Sequence, residues 1–330
     1  MSVPFNTVTR DGQVALTEFS DQFFAALAVA DPSTWATQLG LYYQTNAIKS
    51  TFPISLSAAG YKEFKGNFKL RDMYERSLSV TQKQWTDGVE ILYQRIKNGD
   101  FVGWLNEPAN MAREALRHPN ELVAAMLDAN PYLDFYRTEV DGQSVASAIR
   151  LFASNHPVSL IDSAMGTFDN DQTWTAFNDA FLQAAKLDFA SRKGPNGKSM
   201  GIVLRSFIVP NALAPSFRKV LESDYLVQAV ENAGGAIVGG FGNTNVHRGT
   251  VNLIVAEELD QYSTTTFYGI DPMSAAKPWI LQSGGAPEEI RHDQDSDYYK
   301  QTLHIAVKYV LDAGIAAALP HAITRYTFAG

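Results

Sequence analysis

The stretch LNEPANMAREALRHPNELVAAMLDAN, residues 105–130, carries the strongest helical pattern of the chain. Its apolar side chains recur at intervals of three and four residues, which places them on one broad face of a helix. Pro119 lies in the middle, where a proline removes a main-chain hydrogen bond and clashes with the preceding turn. We therefore predict one long helix that is broken at His118–Pro119. The apolar face consists of Leu105, Ala109, Ala112, Leu116, Val123, Met126 and Leu127.

The composition around this helix is that of a globular protein with a sizeable core, since 45% of the 330 residues are hydrophobic and 19% are charged. No apolar run approaches the ~18 residues that span a bilayer, so we expect no transmembrane helix. The N-terminal stretch lacks a basic region before an apolar core, which argues against a secretory signal. The absence of cysteine excludes disulfides, thiolate metal sites and a cysteine nucleophile. The formal net charge of -8 argues against a general nucleic-acid binder.

The segment upstream of the helix has two parts. Residues 1–47 contain ALTEFSDQFFAALAVA, whose apolar positions recur at helical spacing. Residues 48–76 are interrupted by proline and glycine and suggest a long two-stranded excursion with little core of its own. Such a segment normally needs another surface to lie on. It contains the aromatic residues Tyr61, Phe64 and Phe68, the basic residues Lys49, Lys62, Lys65, Lys69, Arg71 and Arg76, and the acids Glu63, Asp72 and Glu75.

Downstream of the helix, residues 165–270 alternate between strand and helix patterns and predict a compact α/β unit. Within it we predict helices over DNDQTWTAFNDAFLQAAKLD (169–188) and APSFRKVLESDYLVQAVENA (214–233). The remaining chain is rich in strand patterns, and we expect residues 301–328 to return and pair with strands near 77–96. In residues 257–300 acidic side chains outnumber basic ones.

Two glycine-containing stretches partly match nucleotide-binding motifs. RKGPNGKS (192–199) ends like a phosphate-binding loop, but Arg192 stands where the first glycine belongs, and a strand pattern follows instead of a helix. GGAIVGGFGNTN (234–245) has Asn245 at the third glycine position of a dinucleotide motif, again with no helix after it. We interpret the first as a polar turn and the second as a flexible loop at a domain tip.

HDQDSDY (292–298) begins like a calcium-binding loop. Tyr298 occupies the position that needs glycine, and His304 stands where the bidentate glutamate belongs. The pattern favours a solvated acidic turn and leaves open a weak oxygen-ligated cation site. Its ligands would be Asp293, Asp295 and Asp297.

RLFASNHPVSLIDSAMG (150–166) places His156 close to Asp162 and to several serines, which raises the possibility of a hydrolase site. A Ser–His–Asp site needs a nucleophile on a strained turn, and the chain contains no G-x-S-x-G sequence. Pro157 restricts the backbone beside His156. We therefore favour a shaped loop over a catalytic site and expect no enzyme activity, no cofactor and no metal.

The order of several landmarks resembles the Mu-like major head subunit, a branch of the tailed-bacteriophage major capsid protein family whose fold is shared by encapsulins. The likeness runs from TNAIKSTFPISL (45–56) to IAAALPHAITRYTF (315–328). The landmarks between them are ALRHPNELVAAMLDA, FASNHPVSL, IVLRSFIVPNAL followed by FRKVLESD, LIVAEELD followed by TFYGIDP and KPWILQ, and finally GIAAALPHA.

The resemblance implies an α+β, tailed-phage major capsid protein fold with a fixed division of the chain. Residues 1–47 would form an N-terminal arm and helix, and residues 48–76 the extended loop that lies across a neighbouring subunit. Residues 77–164 would form the first part of a peripheral domain with its long spine helix. Residues 165–270 would form the axial domain, and residues 271–330 the second part of the peripheral domain.

The resemblance also implies a shell that assembles from pentamers and hexamers in the host bacterial cytoplasm and becomes the capsid of the virion. Expected partners are further copies of the chain, scaffolding, portal and decoration proteins, and packaged double-stranded DNA contacted non-specifically; we expect no membrane contact. Some members of the fold cross-link through a lysine of the extended loop, a role open to Lys62, Lys65 or Lys69. The candidate inter-subunit contacts are Lys62, Lys65, Lys69, Arg71, Phe64 and Phe68. We expect them to contact the acidic late segment, residues 257–300, of a neighbouring subunit.

Two other classes of function stay open at this point. One is an encapsulin-like protein compartment, which would share the fold but not the phage context. The other, more remote, is an enzyme, either a hydrolase that uses His156 or a cation-dependent enzyme at Asp293.

Overall fold

The chain is described by a computed structural model that covers residues 12–29, 34–55, 75–98, 104–133, 138–140, 143–145, 149–158, 163–194, 197–231 and 237–329. The helices are α1 (Gly12–Val29), α2 (Trp35–Leu39), α3 (Tyr93–Lys97), α4 (Glu107–Ala129), α5 (Asp179–Ser191), α6 (Ala214–Leu221) and α7 (Asp297–Thr302). Short 3-10 turns are formed by Trp104–Asn106, Ser163–Met165, Glu257–Leu259 and Pro320–Ala322. Among the described residues, no helix is long and apolar enough to cross a membrane.

The strands of the first half are β1 (Leu41–Gln44), β2 (Lys49–Ser55), β3 (Glu75–Thr81), β4 (Lys83–Leu92), β5 (Thr138–Val140), β6 (Gln143–Val145), β7 (His156–Pro157), β8 (Thr167–Phe168) and β9 (Asp171–Trp174). Those of the second half are β10 (Ser206–Val209), β11 (Tyr225–Glu231), β12 (Ile237–Thr244), β13 (Asn252–Val255), β14 (Thr266–Ile270), β15 (Trp279–Ser283), β16 (Glu288–His292), β17 (His304–Ala317) and β18 (Ile323–Phe328). The predicted α+β class is confirmed.

The long helix α4 is continuous, so the predicted break at His118–Pro119 is wrong. Pro119 lies inside the helix, where it cannot donate a main-chain hydrogen bond to the preceding turn. Tertiary contacts hold the helix together at this point. The side chain of Asn120 is buried, accepts a hydrogen bond from the Ala36 amide at 3.2 Å and donates to Glu258 at 3.0 Å. Packing of this kind stabilises helices in proteins more than intrinsic propensity does.

The first sheet has the strand order β1-β15-β17-β16, and β4 also pairs with β17. The long strand β17 pairs antiparallel with β4 from His304 opposite Leu92 to Ala313 opposite Lys83. This confirms the expected return of the C-terminal region to the strands near residues 77–96. The strands β2 and β3 form a separate antiparallel pair that frames residues 56–74.

The second sheet has the order β13-β10-β14-β18-β9. Its strand β18 comes from the C-terminal end of the chain and pairs antiparallel with β14 and parallel with β9. The range predicted as the second part of the peripheral domain, 271–330, therefore supplies strands to both sheets. A bidentate ion pair joins β18 to β9, with Arg325 Nε and Nη2 at 2.8 and 2.6 Å from the Asp171 carboxylate oxygens.

Two predicted helices are shorter than expected because strands replace part of each. The helix predicted over 214–233 ends at Leu221, and β11 follows it, paired with the glycine-rich β12. Residues 237–244 of the loop predicted over 234–245 therefore form a strand. The helix predicted over 169–188 begins only at Asp179, capped by Asn178, whose side chain accepts from the Phe181 amide at 2.9 Å. The preceding Asp171–Trp174 forms β9 instead.

In the part of the chain that the structure describes, three apolar clusters form the core. The first lies beneath the C-terminal half of α4, with α2 and β15, and the second is an aromatic-rich cluster between the second sheet and helices α5 and α6. The third joins α1 to the N-terminal half of α4 and to β17. In it the rings of Phe23 and Tyr309 stack with their centroids 3.6 Å apart. The helix predicted in residues 1–47 thus packs on its own subunit.

Candidate functional site

An apolar groove lies between α1, α4 and the first sheet. Its volume is about 440 Å³. Leu27 contributes from α1, Leu116 and Pro119 from α4, Tyr42 from β1 and Leu311 from β17. The proline that was predicted to break the helix therefore forms part of the groove wall, and Tyr42 stays exposed on the edge strand β1.

A second cavity of about 220 Å³ adjoins the groove, and both share Ala115, Pro287 and Leu311. Three carboxylates line it, those of Asp87, Glu114 and Glu121. Arg117 lies 3.5 Å from Glu114 and 2.9 Å from Glu257, so part of this charge is compensated. His118 lines the same cavity, with its ring 4.6 Å from that of Trp85, and burial lowers its pKa. The two adjoining cavities thus combine apolar walls with acidic side chains.

Several acids of the late segment are already bound within the subunit. Glu258 is 6% exposed and accepts from Trp35 Nε1 at 3.2 Å and from the Asn120 amide. Asp271 is buried 3.2 Å from Arg205 Nε. Because both carboxylates are buried and paired within the subunit, they have a structural role and do not form a surface that a neighbouring subunit could contact. The sequence count of acids therefore overstates the acidic surface.

The acids that remain exposed include Glu288 on β16 and, in the turn 293–297, Asp295 and Asp297, whereas Asp293 is half-buried. In this turn Asp293 Oδ1 accepts from the Asp295 amide at 3.1 Å, and Ser296 caps α7 by accepting from the Tyr299 amide. Lys300 Nζ lies 3.3 Å from Asp297. The three aspartates thus belong to a turn and to the beginning of helix α7. Across the described parts of the chain, no group of three or more His, Cys, Asp or Glu residues could hold a metal ion.

His156 of the suspected hydrolase stretch is fully buried. Its Nε2 lies 3.1 Å from the Leu151 carbonyl oxygen, and its ring stacks on Phe168 with centroids 5.1 Å apart. Burial lowers its pKa to about 4. Asp162 lies outside the described residues. A buried imidazole that faces a carbonyl and a phenyl ring cannot reach a substrate, so the geometry is that of the predicted shaped loop.

The six candidate inter-subunit contacts, Lys62, Lys65, Lys69, Arg71, Phe64 and Phe68, all lie outside the described residues. The structure describes only the ends of their segment, where Ser55 pairs with Glu75.

Comparison with known protein families covers most of the chain. Residues 75–326, which begin with β3 and end within β18, match the sequence model of a family described as phage capsid protein. The chain belongs to this phage capsid protein family. No curated protein sequence matches it. The membership of the capsid family that the landmarks implied is thereby confirmed.

The chain is also similar to solved structures of phage and virus-like particles. The procapsid of bacteriophage JBD30 is 16% identical, with 96% of this capsid protein and 74% of that chain covered at a TM-score of 0.49. The capsid of the native GTA particle is 13% identical, with 92% and 96% covered and a TM-score of 0.49. The virus-like particle from Pyrococcus furiosus is 9% identical, with 94% and 99% covered and a TM-score of 0.46. The family assignment rests on the sequence model alone.

The phosphate-loop-like stretch of this capsid protein is a structural turn, as predicted. The Gly194 amide donates to the Lys198 carbonyl at 2.9 Å, and Gly197 adopts a φ of 72°. Arg192, at its start, is 2% exposed and donates to the His321 carbonyl at 2.5 Å and to Asp188 at 2.7 Å. It cannot bind a phosphate from solvent.

The groove and the network around Arg192 were missed in the sequence. The proline in mid-helix was the available signal, because it leaves a main-chain carbonyl of the preceding turn without its helical donor and so marks an irregular position on the helix surface. Arg192 gave no signal, since its position at the start of a polar turn suggested a solvated side chain.

Proposed function

We propose that this phage capsid protein is the major head subunit of a tailed bacteriophage. It assembles into pentamers and hexamers of an icosahedral shell that encloses double-stranded DNA, and it acts as a structural protein without catalytic activity. The match of the capsid family model to residues 75–326 carries this proposal. The burial of His156 supports the absence of a hydrolase function.

The inter-subunit contact that we propose joins the basic, aromatic segment 56–74 of one subunit to the acidic surface of its neighbour. Lys62, Lys65, Lys69 and Arg71 would meet the exposed acids at Glu288 and in the turn 293–297, while Phe64 and Phe68 would cover apolar surface beside them. The exposure of Glu288 and Asp295 supports this arrangement. Contacts between different patches of identical subunits close into rings, as pentamers and hexamers require.

Charge reversal tests this contact. The triple variant Lys62→Glu, Lys65→Glu and Lys69→Glu should abolish shells in electron micrographs while the circular-dichroism melting curve of the subunit stays unchanged. The control is Arg218→Glu with Lys219→Glu, two exposed positions on α6 that should leave assembly intact. Normal shells from the triple variant would refute the contact.

The further partners that we propose are scaffolding, portal and decoration proteins, with assembly in the host bacterial cytoplasm and a final place in the virion. The net charge of -8 supports weak, non-specific contact with packaged DNA, because a strongly basic inner wall would hold the DNA and oppose its release. Nuclease-resistant DNA inside purified shells would support a phage head. Shells that contain one enzyme and no DNA would favour an encapsulin-like compartment instead.

A further inference from the structure

A hydrogen-bonded chain of ionisable groups joins α5 to the turn after β12. His247 lies 2.5 Å from an Asp179 carboxylate oxygen through its Nε2 and 3.1 Å from Lys186 Nζ through its Nδ1. Lys186 Nζ also donates to Thr250 Oγ1 at 2.7 Å, and that hydroxyl donates to the His247 carbonyl at 2.7 Å. Asp179 and Lys186 stand two turns apart on one helix, so the imidazole bridges them.

The donors and acceptors fix the tautomer of His247. An ammonium group can only donate, so Nδ1 of the imidazole accepts from Lys186. The proton of the neutral ring is then on Nε2, where it is donated to Asp179. The order carboxylate, imidazole, amine is that of an acid–base triad in which the middle ring can take a proton from its nucleophile.

The surroundings make the Lys186 ammonium easier to deprotonate. Burial lowers the pKa of Lys186, and the nearby Asp179 carboxylate opposes this shift to a smaller degree. His247 is buried, whereas Lys186 is half-buried and Thr250 is exposed. The amine is therefore partly desolvated and still accessible from the surface.

We propose that Lys186 is a modification site for activated acyl groups, with His247 as the proton acceptor and Asp179 as the group that orients it. The lysine nitrogen bonds to the carbonyl carbon of the acyl donor, the bond from that carbon to its leaving group breaks, and the leaving group departs with the electron pair. The proton lost by the nitrogen passes to His247 Nδ1 and then to solvent. The product is a neutral amide, so the acylated side chain of Lys186 no longer carries a positive charge.

Competitive labelling with trace acetic anhydride, read by peptide mass spectrometry between pH 6 and 10, tests the proposal. Lys219, exposed on α6, is the internal reference. The labelling curve of Lys186 should rise at lower pH than that of Lys219, because each unit of pKa gives about tenfold more neutral amine at pH 7. A curve that coincides with that of Lys219, or rises at higher pH, would overturn the proposal. This test uses only the wild-type protein.

The variant His247→Gln separates a reactive amine from a merely structural one. It keeps a hydrogen-bonding side chain of similar size but removes the proton acceptor, so labelling of Lys186 relative to Lys219 at pH 7 should decrease. The matched control is His304→Gln, at a half-buried histidine on β17 whose Nδ1 contacts the Thr302 carbonyl. If His247→Gln remains folded by circular dichroism and labels Lys186 at the wild-type rate, the role of His247 is wrong.

Discussion

Arg192 Nη1 donates a hydrogen bond to the main-chain carbonyl of His321 across 2.5 Å, with both side chains buried. The same guanidinium binds Thr324 and Asp188 and lies over the Phe189 ring at 4.3 Å. It thereby connects the C-terminal end of α5 to the segment that leads into β18. One charged side chain fixes where the end of the chain enters the second sheet.

Replacing Arg192 by leucine should cost the subunit about 3 kcal/mol of unfolding free energy or more, because buried carbonyls and the Asp188 carboxylate lose their donor. Urea denaturation followed by circular dichroism measures the change. The control is Arg248→Leu, which removes an exposed ion pair with Asp224 and should cost less than about 1 kcal/mol. Equal losses in the two variants would contradict the role of Arg192.

The buried histidines should make the subunit acid-sensitive. The pKa of His156 is lowered from 6.5 to about 4 by burial, and that of His321 from 6.5 to about 3 by burial and by the charges of Arg192 and His156. Between those values and pH 6.5 the unfolded chain binds more protons, so stability is fully present above about pH 6.5 and is lost as the pH falls. For His156 alone the loss at pH 4 amounts to about 3 kcal/mol.

Urea denaturation at pH 7 and pH 4.5 checks this prediction. In His156→Gln the decrease in unfolding free energy between the two pH values should be smaller than in the wild type. The variant lacks the His156 imidazole, which takes up a proton mainly when the protein unfolds. The control variant His304→Gln, at a half-buried histidine on β17, should leave the decrease unchanged. A decrease that is the same in all three proteins would assign the acid sensitivity to other groups.

Pro119 should destabilise helix α4 while it forms part of the groove wall. Pro119→Ala supplies the missing main-chain donor and should raise the unfolding free energy by about 1–3 kcal/mol. The control is Pro108→Ala in the first turn of α4, where a proline loses no intrahelical bond and the change should be small. Thermal melting of both variants measures the difference, and a lower melting temperature for Pro119→Ala would contradict the account.

Local patterns predicted the helix in residues 1–47, the long helix α4 and the pairing of β17 with β4, because each has a regular spacing of apolar residues. They failed where tertiary pairing overrides local preference. The segment YLVQAVE follows α6 without a glycine or proline and reads as more helix, yet its partner β12 makes it a strand. Pro119 is tolerated because Asn120 binds both α2 and Glu258, contacts that lie 84 and 138 residues away along the chain.

The acidic surface was predicted only in part for the same reason. Glu258 and Asp271 look like solvated acids in the sequence, but they are buried against Trp35, Asn120 and Arg205. No local pattern reveals such partners, since each comes from a distant part of the chain. The shaped loop at His156 was predicted correctly because Pro157 and the missing nucleophile motif are local features.

Electron microscopy of the purified protein, alone and co-expressed with the proposed scaffolding and portal proteins, tests whether this capsid protein builds a shell. We expect closed icosahedral shells, or rings of five and six subunits, in at least one of the two preparations. Monomeric particles in both preparations, from a protein that melts cooperatively, would contradict the assignment as a shell subunit.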